Sequence, residues 1–443
     1  MASSVSSREL ILETLLMITR DGQYSHIALK NVLDQYQYLD KKERAFITRV
    51  VNGTLEHMVE IDAILNRFSK VKVNKMKPVI RTILRSSVYQ MRYMDSVPDR
   101  AVCNEAVKVA AKRGFVNLKG FVNGVLRTIS RNREDIQLPD KTDMVTYLSI
   151  VYSLPEWLVK QWLAVYDADI VETMGKAFLE NKKTTIRKSP KAGDTTEFVK
   201  RLETEGVIVE PETQMKDVFY ISGYDYLEKL QTFRNGEFYV QDISSMQVAE
   251  WADPKAGDVI IDVCAAPGGK SIHLAEKLDG TGMVEARDLT EYKVELLQEN
   301  IERSGLTNIC ARVQDATVKD PESVGNADIV IADLPCSGLG ILGRKPDLRY
   351  KMTPKMQEEL VKLQREILKV VCEYVKPGGK LLYSTCTIHK AENEDNTAWF
   401  QKEHPEFHLQ KEKQILPGID IGDGFYIAMF QRENHEQKRY SIL

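Results

Sequence analysis

Between Val259 and Ser384, short apolar runs alternate with longer segments of helical periodicity, and this rhythm limits the possible folds more than any other feature of the chain. The runs are Val259-Ile260-Ile261-Asp262-Val263, Met283 to Ala286, Ile309 to Val313, Ile329 to Ala332 and Lys380 to Ser384. Helices are predicted from Ser271, over Glu291 to Ser304 and over Pro354 to Tyr374. Apolar runs of this kind suit strands covered on both faces. The expected fold is a doubly wound α/β sheet with its ligands at the carboxyl ends of the strands. Glu285 and Arg287 depart from the pattern, because they make the second strand more polar than a buried parallel strand should be.

Three loops that follow these strands carry chemistry. After the first comes Cys264-Ala265-Ala266-Pro267-Gly268-Gly269-Lys270-Ser271. Its two glycines let backbone approach a ligand at a helix N-terminus, where free amides favour negative charge. The ending Gly-Lys-Ser imitates a phosphate-binding P-loop. That motif, however, needs a glycine where Cys264 stands, and Pro267 stiffens a loop that should wrap. Asp288 ends the second strand, in a place suited either to ribose hydroxyls or to capping the helix from Glu291. Asp315 ends the third, where an adenine contact and a simple turn aspartate are both open. Together with the glycine loop these carboxylates describe an adenosine-containing cofactor.

The other two loops each expose a thiol. Cys336 follows Asp333-Leu334-Pro335 and Cys386 follows Ser384-Thr385, both where a strand gives way to turn residues. Such positions allow access and thiolate character. Cys310 and Cys372, within a predicted strand and helix, read as small buried hydrophobes.

The first 140 residues differ in character from the rest. Helical segments are predicted from Ser7, which can cap the first of them, through Glu43 to Leu55, Met58 to Phe68, Pro78 to Met94, Asp99 to Gly114 and Asn117 to Ile129. Residues 1–140 carry a net charge of +8 and the remainder −11, which together make the overall −3. Between Arg67 and Arg92 stand eight basic residues and no acidic one, with Phe68 and Tyr89 interleaved. A solvated helix face is the plain reading of such a run. A second acid-poor stretch from Arg100 to Arg133 favours contact with a phosphate backbone. Residues 141–236 are less regular and suggest a connector followed by a small α+β module.

No window is long and apolar enough to span a membrane. Glu9 and Glu13 interrupt the first apolar run, which points to the cytoplasm. The six cysteines form no Cys-x-x-Cys pair and no His pair stands near one, so neither a metal site nor a disulfide framework is expected.

The N-terminal part, with Asp40-Lys41-Lys42-Glu43-Arg44-Ala45-Phe46, Val51-Asn52-Gly53-Thr54, Leu84-Arg85 and Asn104-Glu105-Ala106-Val107, resembles NusB, a small helical RNA-binding antitermination factor. Residues 237–430 resemble the Nol/Nop/Sun family of S-adenosylmethionine-dependent RNA methyltransferases that make 5-methylcytosine. The resemblance rests on Gln241-Asp242-Ile243-Ser244-Ser245, Asp262 to Lys270, Asp333-Leu334-Pro335-Cys336-Ser337-Gly338-Leu339-Gly340, Lys376-Pro377-Gly378-Gly379, Tyr383-Ser384-Thr385-Cys386-Thr387, Glu392-Asn393-Glu394 and Asp423-Gly424-Phe425-Tyr426. It implies a NusB-like all-α domain over 1–140, a linker and small RRM-like module over 141–236, and a Rossmann-like methyltransferase domain over 237–443.

The implied activity is cytosine-5 methylation of small-subunit 16S rRNA by a monomeric enzyme acting on RNA rather than DNA. By resemblance, Cys386 is the nucleophile, Cys336 assists proton removal and release, and Asp333 shares a proton at the base. Cys264, Ala265, Ala266, Pro267, Gly268, Gly269, Lys270, Asp288, Lys293, Asp315 and Asp333 would contact S-adenosyl-L-methionine. DNA cytosine methyltransferases attack through a Pro-Cys thiol, so exchange of the two cysteine roles stays open. So do a tRNA substrate and a non-catalytic RNA-binding factor. Where family members carry Arg-x-Asn near the first strand of the small module, this chain has Arg187-Lys188-Ser189.

Overall fold

A computed structural model describes residues 5–36, 38–180 and 182–434. They divide into two compact units, one running up to Glu180 and taking in Leu342–Lys351 as well, the other comprising the rest.

The first unit is helical. Helices Ser7–Thr19, Ser25–Gln35, Lys41–Glu56, Met58–Phe68, Pro78–Tyr93, Asp99–Lys112 and Lys119–Arg131 bury one continuous core that includes Leu15, Ile47, Leu55, Ile61, Leu84 and Leu126. Each such aliphatic side chain contributes about 1.5–3 kcal/mol by leaving water. The first helix is capped by Ser6 rather than Ser7. Ser6 accepts from the Glu9 amide while the Glu9 carboxylate accepts from the Ser6 amide, a reciprocal pair that a sequence one residue out of register hides.

Residues 141–180 were read together with the small module. In the structure they form helices Met144–Val151, Glu156–Leu163 and Ala168–Leu179, which group with the first unit. Leu342–Lys351 lies far along the chain yet also belongs there. Buried Arg349 donates to the carbonyls of Glu56 (2.8 Å), Leu342 (3.3 Å) and Ser153 (3.4 Å), and Asp347 accepts from the Ser25 hydroxyl (2.5 Å) and amide (3.1 Å). The segment therefore finds its main polar partners inside the helical unit, although Arg349 Nε is buried without one.

The second unit holds two sheets. Strands β1 (Thr184–Lys188), β2 (Ile208–Pro211), β3 (Val218–Ser222) and β4 (Phe238–Val240) form the smaller, in the order β2-β3-β1-β4. The larger consists of β5 (Val259–Asp262), β6 (Met283–Asp288), β7 (Ile309–Val313), β8 (Ala327–Asp333), β9 (Val375–Thr385), β10 (Phe407–Ile415) and β11 (Phe425–Arg432), in the order β10-β11-β9-β8-β5-β6-β7. From β9 to β7 neighbouring strands run parallel, while β11 and β10 are antiparallel. The chain leaves β5 toward β7 and returns to place β8 on the other side of β5. This makes a switch point between β5 and β8, where ligand crevices open in such sheets.

The polar β6 is explained by an internal charge cluster. Arg287 is 1% exposed; it pairs with Glu285 at 2.9 Å and Asp320 at 3.3 Å, and stacks over Tyr374. Cys310 overturns its expected burial: β7 is the edge strand, and this thiol is exposed. Cys372 is buried as expected.

Candidate active site

β8 and β9 are parallel neighbours in the register Asp333↔Ser384, so the loops that follow them leave the sheet at one level. Cys336 lies three residues beyond Asp333 and Cys386 two beyond Ser384, and the two sulfurs stand 3.2 Å apart. Sequence reasoning placed both thiols near one sheet edge; the register turns that into contact. Gly340 closes the approach: its amide donates to the Cys386 carbonyl (3.1 Å), and a Cβ there would stand 2.0 Å from the Gly424 oxygen. Only glycine fits between these backbones.

Asp333 is held from two sides. Its Oδ1 accepts from Ser384 Oγ (2.8 Å), and its Oδ2 lies 2.7 Å from Lys270 Nζ. Burial works to lower the Lys270 ammonium, but the charge and hydrogen bond of Asp333 outweigh it, so the net direction is upward and the lysine stays charged. Lys270 was read as part of the cofactor loop. Its backbone is there, but its side chain is turned to Asp333 and over the Phe425 ring at 5.6 Å.

The two thiols are not equivalent. Cys336 is pushed well above the usual thiol range by its hydrogen bond to Cys386, by burial, and by the charges of Cys386 and Glu392. Two thiols at this distance cannot both ionise, and the push on Cys336 is upward. Cys264 is also pushed up by burial and by Asp288, Asp262 and Asp333, so it behaves as an inert thiol within the loop.

The loop Cys264 to Lys270 crosses the end of β5. Gly268 has φ +106° and starts helix Gly269–Lys277, which no side chain caps. A Cβ at Gly268 would stand 2.6 Å from Leu297 Cδ1. The Ala265 amide donates to the Arg287 carbonyl (2.8 Å), and the Ala266 amide to Asp288 Oδ2 (3.0 Å). Ala266-Pro267 is a cis peptide. Asp288 ends β6, buried, with Lys293 Nζ 2.8 Å from its Oδ1. Thr290 caps the next helix, so the capping alternative for Asp288 falls away. Asp315 Oδ1 accepts from the amide (2.9 Å) and hydroxyl (2.7 Å) of Thr317, as a turn aspartate does.

Asp262, at the end of β5, opens one of the family motifs but received no role from sequence reasoning. It is 1% exposed; one oxygen accepts from Ser271 Oγ (2.6 Å), while Oδ1 is buried without a partner. Burial, reinforced by Asp333 and opposed by Ser271 and Lys270, raises its carboxyl to about 7. Gln241 is similar: Oε1 accepts from Arg187 Nε (3.0 Å), Nε2 is buried without a partner, and the side chain lies against Gly269. Arg187 pairs with Glu276 and stacks over Tyr239, so the Arg187-Lys188-Ser189 departure is absorbed into packing of the small sheet on the larger one.

Comparison with known proteins bears on this geometry. The model for 16S rRNA methyltransferase RsmB/F matches residues 249–431, and that for the NusB family matches residues 5–131. A Bacillus subtilis (strain 168) relative named "Probable ribosomal RNA small subunit methyltransferase B" is 37% identical, covering 97% of this chain and 99% of its own. The chain belongs to the RsmB/F family of 16S rRNA methyltransferases.

Solved structures share the fold of this RsmB/F family member. The crystal structure of PH0851 shares 25% identity and a TM-score of 0.81, covering 97% of this chain and 99% of that one. The structure of NSun6 from Pyrococcus horikoshii with SFG shares the fold of 64% of this chain at 21% identity and TM-score 0.56, and covers 99% of that chain. RsmB/F methyltransferases use S-adenosylmethionine, and the residues at the switch point fit it. The glycine approach at Gly268, the uncapped helix start, the buried Asp288 and the unpartnered Asp262 Oδ1 and Gln241 Nε2 form a polar cradle for a nucleoside with a charged tail. Among the described residues no group of metal-ligating side chains gathers, and no helix is long and apolar enough to cross a membrane.

Proposed function

We propose that this chain methylates carbon 5 of a cytosine in small-subunit 16S rRNA, as a monomer acting on RNA rather than DNA, through a covalent adduct with Cys386. The observation that carries the reading is the 3.2 Å thiol pair next to the Asp333–Lys270 pair, at the switch point of the sheet. The family and its relatives supply the small-subunit rRNA class of substrate.

Carbon 5 of cytosine is a poor nucleophile until a thiolate adds to carbon 6. The two sulfurs share a hydrogen bond, and the upward push on Cys336 from Cys386, burial and Glu392 favours Cys386 as the attacking sulfur. As the sulfur–carbon bond forms, electron density moves toward ring nitrogen 3, where Asp333 shares a proton while Lys270 keeps the carboxylate charge balanced. S-adenosylmethionine, held by the Gly268 loop, Asp288 and Asp262, supplies an electrophilic methyl group.

The adduct changes the state of Cys336. Its proton is held by the hydrogen bond to Cys386, by burial and by the charges of Cys386 and Glu392; alkylation removes the charge of Cys386 and weakens the hydrogen bond, so Cys336 becomes easier to ionise, losing its proton to solvent, at the moment a base is needed. It then takes the carbon-5 proton; the electron pair restores the 5,6 double bond and expels Cys386 as thiolate. The basic helical unit supports contact with the RNA backbone. Lys70, Lys72, Lys75 and Lys77 are exposed around the turn Val73–Lys75, whereas Arg85, Arg92, Lys112 and Arg113 are engaged by Asp62, Glu60, Glu9 and Glu13.

The test uses unmodified small-subunit rRNA and methyl-labelled S-adenosylmethionine. Cys386→Ala is expected to abolish both transfer and the protein–RNA adduct, and Cys336→Ala to accumulate adduct without turnover. An adduct that survives loss of Cys386 and disappears with Cys336 reverses the two roles. Label found elsewhere than on cytosine refutes the reaction.

A further inference from the structure

Two adjacent side chains, Glu392 and Asn393, are fully buried between the thiol loops; Asn393 has no part in the chemistry above, and Glu392 enters it only through its charge on Cys336. Their partners are divided by loop. The Glu392 carboxylate accepts from the Ser337 amide (2.9 Å), the Ser337 hydroxyl (2.5 Å) and Gln364 Nε2 (3.0 Å), and His389 Nδ1 lies 3.1 Å away. The same Gln364 amide donates to the Pro335 carbonyl (2.9 Å), so the residues on both sides of Cys336 are gripped. Asn393 holds the other loop. Its Oδ1 accepts from Thr385 Oγ1 (2.6 Å), and its Nδ2 donates to the Thr387 carbonyl (3.0 Å) and to Gln414 Oε1 (2.7 Å). The residues on both sides of Cys386 are gripped in turn. The hydroxyl pair Ser337 Oγ with Thr387 Oγ1 at 2.7 Å joins the two sets, as does His389, which follows Cys386 and meets the Glu392 carboxylate.

We infer that Glu392 and Asn393 are positioning residues that set the two thiols independently, Glu392 placing Cys336 for proton removal and release, and Asn393 placing Cys386 for attack. The inference rests on the assignment of attack to Cys386 and release to Cys336. A carboxylate shut away from water is costly, and packing alone would be served as well by an apolar residue of similar volume. Two donors from Ser337 and one from Gln364 on helix Pro354–Val371 converge on Glu392 and fix the loop that carries Cys336. Reaction rates are sensitive to such placement, since displacements of an ångström in a reacting group slow a step by orders of magnitude.

The division of partners predicts separable kinetic defects, which a uniform loss of folding would not produce. In single-turnover reactions on unmodified small-subunit rRNA, Thr385→Val and Asn393→Ala are expected to slow adduct formation about tenfold while leaving adduct breakdown within about twofold. Ser337→Ala and Glu392→Gln are expected to slow breakdown about tenfold, so that adduct builds up, with formation nearly unchanged. Ser337→Ala and Thr385→Val each remove one hydroxyl and keep the buried carboxylate and amide, which covers the case in which Glu392→Gln or Asn393→Ala fails to fold. Ser337→Thr, which keeps the hydroxyl, is expected to restore breakdown.

Equal slowing of both steps by all four variants, or unchanged rates with only a lower melting temperature, overturns the clamp. Failure of the underlying assignment looks different. In that case the Cys336→Ala and Cys386→Ala controls run in the same assay do not separate release from attack.

Discussion

Asp262→Asn isolates the electrostatic cost built into the cofactor cradle. The Asp262 carboxyl, 1% exposed and with Oδ1 unpartnered, is raised from 3.8 to about 7. Because its folded value lies above the unfolded one, the folded state binds this proton more tightly. The group therefore costs nothing below pH 3.8, costs progressively more as pH rises, and reaches its full penalty above about pH 7. A displacement of this size corresponds to about 4 kcal/mol. Asparagine keeps an acceptor for Ser271 and cannot ionise, but its amide hydrogens would replace the unpartnered oxygen, a fixed cost of about 1–3 kcal/mol.

The two contributions separate by pH. Urea unfolding of parent and variant, without cofactor, at steps between pH 5 and 8.5 gives a stability difference in which the fixed cost is constant and the ionisation term grows. The variant is expected to gain on its parent by about 2–3 kcal/mol across that interval. His273, which burial, reinforced by Arg187, depresses to about 4, is common to both proteins and cancels in the difference. A difference that does not change with pH would refute the buried, strained carboxylate and the reasoning about the cradle with it.

Other changes probe the neighbouring parts. Gly268→Ala introduces a Cβ 2.6 Å from Leu297 at φ +106°, whereas a Cβ at Gly269 meets nothing nearer than Gln241 at 3.8 Å. Calorimetry is expected to show S-adenosylmethionine binding weakened at least tenfold by the first and much less by the second, with a stability loss of about 1–3 kcal/mol confined to the first. Replacing the exposed Lys70, Lys72, Lys75 and Lys77 together by alanine is expected to weaken rRNA binding and to lower the slope of log affinity against log salt by about 3, at about 0.7 per single-strand phosphate contact. Filter binding across a salt series measures this, and an unchanged slope removes this turn from the RNA interface.

The parts that were legible in the sequence are those where one local pattern decides. Helix Glu291–Ser304 matched its predicted ends because periodicity, the Thr290 cap and Gly305 agree. The parallel strands were legible because nearly every position in Val330, Ile331 and Ala332 is apolar. β10 was not, since Lys411, Glu412 and Lys413 are consecutive and exposed on an edge strand, where burial imposes no alternation. The short helical stretch opened by Leu154-Pro155-Glu156-Trp157-Leu158 is legible and matches helix Glu156–Leu163, but helices Met144–Val151 and Ala168–Leu179 are not, because short polar turns split the helical pattern before its period can be counted, although Phe178 reaches full burial.

The residues that shape the site were the least legible, and the cause is the same for each. Asp262, Gln241, Glu392 and Asn393 are polar and buried, and a buried polar side chain has meaning only through its partners. Those partners stand far off in sequence: Ser337 is 55 residues from Glu392, and Arg187 is 54 from Gln241. Leu342–Lys351 shows the limit most plainly, because its Asp347 and Arg349 bond to Ser25 and Glu56, roughly three hundred residues earlier. Motifs locate such residues without stating what they hold. The thiols illustrate the consequence: their loops were recognisable one at a time, but that one sulfur raises the other follows only from β8 and β9 being in register, which no local pattern encodes.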